Sequence, residues 1–263
     1  MAQPSSAAPS PSPAGQIVLP FTNLNVPGSV AVDTAGDVYV TDYLSGQVLK
    51  LAPGAATATQ LPFAGLNGPG GLAVDGAGAV YVTDSGSTPV LKLAPGASSP
   101  TPLSFTGLNG PPGGIAVDGT GAVYVADTRV LMLAPGASAP TVLPFTGLNG
   151  PPKGLAVDAA GDVYINDAGN NRVLSLAPGA SAPTVLPFTG LNGPAGVAVD
   201  RAGAVYVSDA GNNRVLTLAA GASTPTVLPF TDLNAPGGVA VDSAGAVYVT
   251  DVGNSRVVKL PAA

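Results

Sequence analysis

The tyrosines constrain the fold more than any other feature. Tyr39, Tyr81, Tyr124, Tyr164, Tyr206 and Tyr248 follow one another at spacings of 42, 43, 40, 42 and 42 residues, each inside a Val-Tyr-Val or Val-Tyr-Ile triplet. The stretch Leu143 to Leu176, LPFTGLNGPPKGLAVDAAGDVYINDAGNNRVLSL, is the unit, and the rest of the chain is that unit six times over with small edits. A period near 40 residues that contains several short apolar runs marks an array whose units cannot bury their apolar faces alone.

Within the unit, four strand-sized runs alternate with turn residues: Gly154 to Asp158, Asp162 to Asp167, Arg172 to Leu176 and Thr184 to Phe188. All are rich in Val, Leu or Tyr and bounded by Gly, Asn, Asp or Pro, and none is long enough for a periodic helix. Four antiparallel strands per unit make a propeller blade, so the expectation is an all-β, six-bladed propeller over residues 16–263. The chain starts with a lone fourth strand, Ile17 to Phe21, and ends on a third strand, Val257 to Leu260. Those ends complement each other, which predicts that the N-terminal strand closes the ring as the outer strand of the last blade.

Residues 1–15, MAQPSSAAPSPSPAG, are too polar and proline-rich for the apolar core of a signal peptide. They read as a stiff, extended linker or tether. Net charge is −6, and the nine Lys and Arg are scattered singly, so there is no basic stripe for nucleic acid or an anionic membrane. Cys is absent, as are His and Glu, and all fifteen acidic residues are Asp. General acid–base catalysis and hydrolytic zinc ordinarily draw on the missing types. The expectation is therefore a chain that is not an enzyme and holds no cofactor and no metal.

Two aspartate sets recur. Asp33, Asp75, Asp118, Asp158, Asp200 and Asp242 end the inner strand three residues before a Gly and read as turn formers; the alternative is calcium. Asp42, Asp84, Asp127, Asp167, Asp209 and Asp251 end the middle strand, and in three repeats an Arg follows five residues later, as in Asp167 and Arg172. Such pairs face each other across a hairpin loop and, if partly exposed, contribute about 0–1 kcal/mol.

In so regular an array, function belongs to the departures. All six Phe occupy the outer-strand motif and six of seven Tyr the triplet, which leaves Tyr43 as the aromatic without a repeated role. The loops between middle and third strands share a face with those leading into the inner strands. Departures there are Tyr43 and Leu44 in the first repeat, Thr88 in the second, Thr128 in the shortened third loop, and Lys153 and Asn166 in the fourth. Lys153 occupies the axial position that is Gly28, Gly70, Gly113, Ala195 and Gly237 elsewhere. It reads either as a solvated lysine or as an anchor for a carboxylate in a glycine-lined cup.

From Leu24 to Leu260 the units follow the form xPxGLAVDxxGxVYVTDxGNNRVLxL. They resemble NHL repeats, and the LPFTGLNGP and LAPGAS connectors are similar to those of the extracellular sensor propellers of mycobacterial receptor serine/threonine kinases. The resemblance implies an extracytoplasmic, monomeric module that senses an unknown extracellular ligand or protein, with any kinase activity in a part not present in this sequence. The alternative is a secreted or wall-attached structural or adhesive protein, and a third class is a metal-dependent propeller lyase or lactonase.

Overall fold

The computed structural model describes residues 15–86 and 89–262. These form six four-stranded antiparallel sheets, and the inner strands of neighbouring sheets meet around one axis. The fourth blade shows the plan: inner strand Leu155–Val157, middle strand Val163–Asp167, third strand Arg172–Leu176 and outer strand Thr184–Val185. The outer strand is shorter than its sequence suggests. Pro187 has no N–H to continue a ladder, and the Phe188 N–H turns back onto the Leu186 carbonyl at 2.8 Å.

Each of the six apolar clusters spans two adjacent blades, so no blade has a core of its own. This explains why the middle strands lack a polar face. Val40, Val82, Val125, Ile165, Val207 and Val249, the third residues of the tyrosine triplets, are completely buried at these junctions. Burying such a side chain is worth about 1.5–3 kcal/mol, and that energy is available only when a neighbouring blade is present.

Closure follows the complementary ends. Strand Ile17–Val18 pairs antiparallel with Arg256–Leu260, with Ile17 opposite Lys259 and Val18 opposite Val258. The apolar residues of the segment contribute unequally. Ile17 and Val18 are 46% and 53% exposed, and the contacts that seat the segment come from Phe21, which is buried, and Leu19, packed beside it. Gln16 adds a reciprocal pair of hydrogen bonds with the backbone of Thr231, at 3.2 and 3.1 Å.

The inner-strand aspartates are turn formers. Asp158 Oδ1 accepts the N–H groups of Ala160 and Asp162, both at 2.9 Å, and Gly161 supplies the φ of +89° that the turn requires. Asp158 Oδ2 accepts the Tyr164 hydroxyl at 3.0 Å, and the same Tyr–Asp bond recurs in every blade. Burial, then the bond to Asp33 or Asp118, pushes Tyr39 and Tyr124 up to about 12.

Candidate functional site

The loop face is organised by the second aspartate set. Asp167 accepts the Asn149 N–H of the leading loop (3.0 Å), Asn170 Nδ2 (2.8 Å) and Arg172 Nε (2.7 Å), while Arg172 Nη2 reaches the Gly147 carbonyl at 2.8 Å. The carboxylate is fully buried while Arg172 is 30% exposed, so the pair is partly exposed as expected, and it clamps hairpin and leading loop together. Arg214 and Arg256 repeat the clamp, and Arg129 makes a fourth from only two residues beyond Asp127. Burial alone would raise Asp127 and Asp167, but their hydrogen bonds outweigh it and hold both below the usual carboxylate value. In the first two blades no cation among the described residues reaches Asp42 or Asp84, which accept loop N–H groups instead.

A second set of bonds joins neighbouring blades. Thr41 Oγ1 accepts the Ser29 N–H at 2.9 Å and donates to the Gly70 carbonyl of the next blade at 2.8 Å. Thr83, Ser208 and Thr250 repeat this latch toward Gly113, Gly237 and Gly28. It is missing at two consecutive junctions, where Ala126 and Asn166 stand. Asn166 is completely buried, and neither atom of its amide has a hydrogen-bond partner within the protein. The same two blades carry one extra residue, a second proline, in the leading loop: Pro111-Pro112 and Pro151-Pro152 where the others have one Pro.

Inside the ring of latches, the leading loops enclose a cup of about 650 Å³, within the range of small-molecule sites. Its collar is mostly glycine, and at several of these glycines the blades pack too closely for a side chain. A Cβ on Gly154 would lie 2.7 Å from the Ala195 carbonyl, and one on Gly196 would lie 2.6 Å from that of Gly237. Each blade also contributes one aliphatic residue to the lining, Val30, Leu72, Ile115, Leu155, Val197 and Val239, all of them mostly buried in the blade junctions. Tyr43 and Lys153 are the titratable side chains among the lining residues. They come from the first and fourth blades, which face each other across a six-bladed ring.

The predicted positions therefore separate. Tyr43 and Lys153 line the cup, with the Tyr43 ring lying over Gly68. Leu44 and Thr128 are exposed on the same face outside the lining, and Asn166 is buried behind the collar beside Gly154. Thr88 lies outside the described residues. Sequence reasoning missed the aliphatic ring, because residues common to all blades read as core, and also Ser29, Ser85 and Val252 at the rim. The Gly-Gly-aliphatic triplet that opens three of the six inner strands was the available signal.

At the other end of the axis, a depression of about 170 Å³ is lined by Arg201 among Asp33, Asp75, Asp200 and Asp242. Among the described residues no group of three or more acidic side chains is placed to hold a metal ion.

Residues 191–218 and 233–260 match the NHL repeat family. No curated protein matches the sequence. Solved structures with a similar fold include a gluconolactonase from Xanthomonas campestris (17% identity, 94% of this chain and 89% of that one, TM-score 0.77). A catalytically inactive virginiamycin B lyase from Staphylococcus aureus with quinupristin is also similar (15%, 94% and 85%, 0.70). So is a chain of the nidogen/laminin complex (24%, 82% and 85%, 0.73). At these identities the likeness is one of fold. It corrects the expectation that the chain is not an enzyme, because the scaffold is shared with a lyase and a lactonase, and a missing residue type does not exclude chemistry on it. The last two complete repeats match the NHL model, and the chain folds as a six-bladed propeller.

Proposed function

We propose that the chain is an extracytoplasmic, monomeric sensing or interaction module that takes its ligand or partner at the axial cup of the loop face. In this reading residues 1–15 tether the ring, and the parent protein works as the sensor propeller of mycobacterial protein kinase D does, whose connectors this sequence resembles. The presence of a similar propeller in the nidogen/laminin complex supports an interaction role.

The observation that carries the reading is the disposition of the cations. Four Arg clamp middle-strand aspartates, Lys50 pairs with Asp37, and Lys92 and Lys259 lie over tyrosine rings. Arg201 sits among the aspartates of the opposite opening. Lys153 has no such partner among the described residues and is the cation on the wall of the larger, mainly apolar cup. A flexible ammonium held there is poised for an incoming anion.

The test is site-specific photo-crosslinking. A photoreactive residue placed at Tyr43, and in a second protein at Ser243 on the opposite face, is exposed to cell-envelope and culture-filtrate fractions. Adducts specific to position 43 are expected. Adducts only from position 243 would move the site to the other end of the axis.

A further inference from the structure

Resting on that reading of the cup, we infer that its ligand is a small aliphatic monocarboxylate, with the carboxylate at Lys153 and the hydrocarbon on the aliphatic lining. Three independent features converge on this chemistry.

The first is the apolar lining. One aliphatic residue from each blade is among the lining residues, each less than a tenth exposed, and Tyr43, from the opposite blade, is the one large aromatic among the described lining residues. Such a surface gains by covering hydrocarbon and offers little to a sugar or a nucleotide, which would need several convergent polar side chains.

The second is the single cation. Lys153 is an exposed lining residue with no counter-ion among the described residues, and one ammonium matches one carboxylate.

The third is the distribution of charge around the rim. In the fourth blade Arg172 neutralises Asp167, so Lys153 leaves that side positive. In the first and second blades Asp42 and Asp84 have no cation partner among the described residues, so the side that carries Tyr43 and Ser85 is negative. A second carboxylate at the far end of the ligand would meet that negative side. The field across the cup thus selects a monoanion and fixes its direction.

Isothermal titration with octanoate, its diacid suberate and the alcohol octanol, on the wild-type chain and on Lys153→Met, tests the inference. Methionine keeps an unbranched side chain and removes the charge. Wild type is expected to bind octanoate at least tenfold more tightly than suberate or octanol, and Lys153→Met to lose that preference while binding octanol unchanged. Equal affinity for octanoate and octanol, or an octanoate affinity unaffected by Lys153→Met, would overturn the carboxylate assignment. If octanoate fails to bind while crosslinks still map to position 43, the monocarboxylate is wrong and the cup reading stands. If both fail, both are wrong.

Discussion

Replacing Asn166 by Thr should make the protein more stable, although the site is a completely buried position in a packed junction. In the blades that carry Thr here, one hydroxyl serves two backbone groups: Thr83 Oγ1 accepts the Gly71 N–H and donates to the Gly113 carbonyl, each at 2.7 Å. The equivalent partners in the fourth blade are the Gly154 N–H and the Ala195 carbonyl; the Asn166 amide neither accepts from the first nor donates to the second. A buried polar group without a partner costs about 1–3 kcal/mol, and each bond made returns about 0.5–1.5 kcal/mol net. Asn and Thr are close in size, so little repacking opposes the change. The expected gain is about 1–3 kcal/mol in urea unfolding with an unchanged slope. For a domain somewhat smaller than this one, each kcal/mol corresponds to about 2–4 °C in Tm. Asn166→Ala, which reproduces the residue of the third blade, serves as the control for removing the amide without adding the latch. A threonine variant no more stable than wild type would show that the amide is satisfied in solution and that the latch is not what holds neighbouring blades.

Other outcomes follow from the same contacts. Deleting residues 1–15 should leave the melting temperature unchanged, whereas deletion through Phe21 removes Leu19 and Phe21 from the closing junction, worth about 3–6 kcal/mol together; equal melts for the two truncations would refute the closure. Asp127 and Asp167 titrate below their unfolded value, so the stability they contribute is present above about pH 4 and lost as pH falls through their folded values. Acid titrations monitored by circular dichroism should show a shallower decline for Arg172→Met, and an identical acid limb would dismiss the clamp. Tyr39 and Tyr124 are raised to about 12, so their contribution is intact below about pH 10 and disappears as pH climbs through about 12. Tyrosinate absorbance should rise late and together with unfolding, and full ionisation in a still-folded protein would contradict the buried Tyr–Asp bonds.

The blade plan was legible because it is written in local spacing: the tyrosine triplet, the Asp-x-x-Gly turn and the complementary ends each involve residues close in sequence or related by the repeat. The Tyr–Asp bond was within reach too, since Tyr164 and Asp158 lie across one tight hairpin. The latch was not, because Thr41 and Gly70 belong to different blades and nothing in either segment names the other. Arg129 escaped notice because the shortened loop changes its spacing to Asp127 while preserving the contact. The pairing of Lys153 with Asn166 in one repeat was visible, but their separation was not: a collar one glycine thick sets Lys153 on the cup wall and leaves Asn166 behind it. The exposure of Ile17 and Val18 has the same character, for an outer strand has no further blade to cover it.

The most direct measurement is a crystal structure of the chain grown with 8-bromooctanoate, in which anomalous scattering locates the halogen. The predicted result is a bromine signal inside the cup against Leu72, Ile115 and their equivalents, with the carboxylate about 3 Å from Lys153 Nζ. A halogen found instead at the opposite opening beside Arg201, or only along the outer strands, would contradict the assignment of the loop-face cup as the site where this propeller binds.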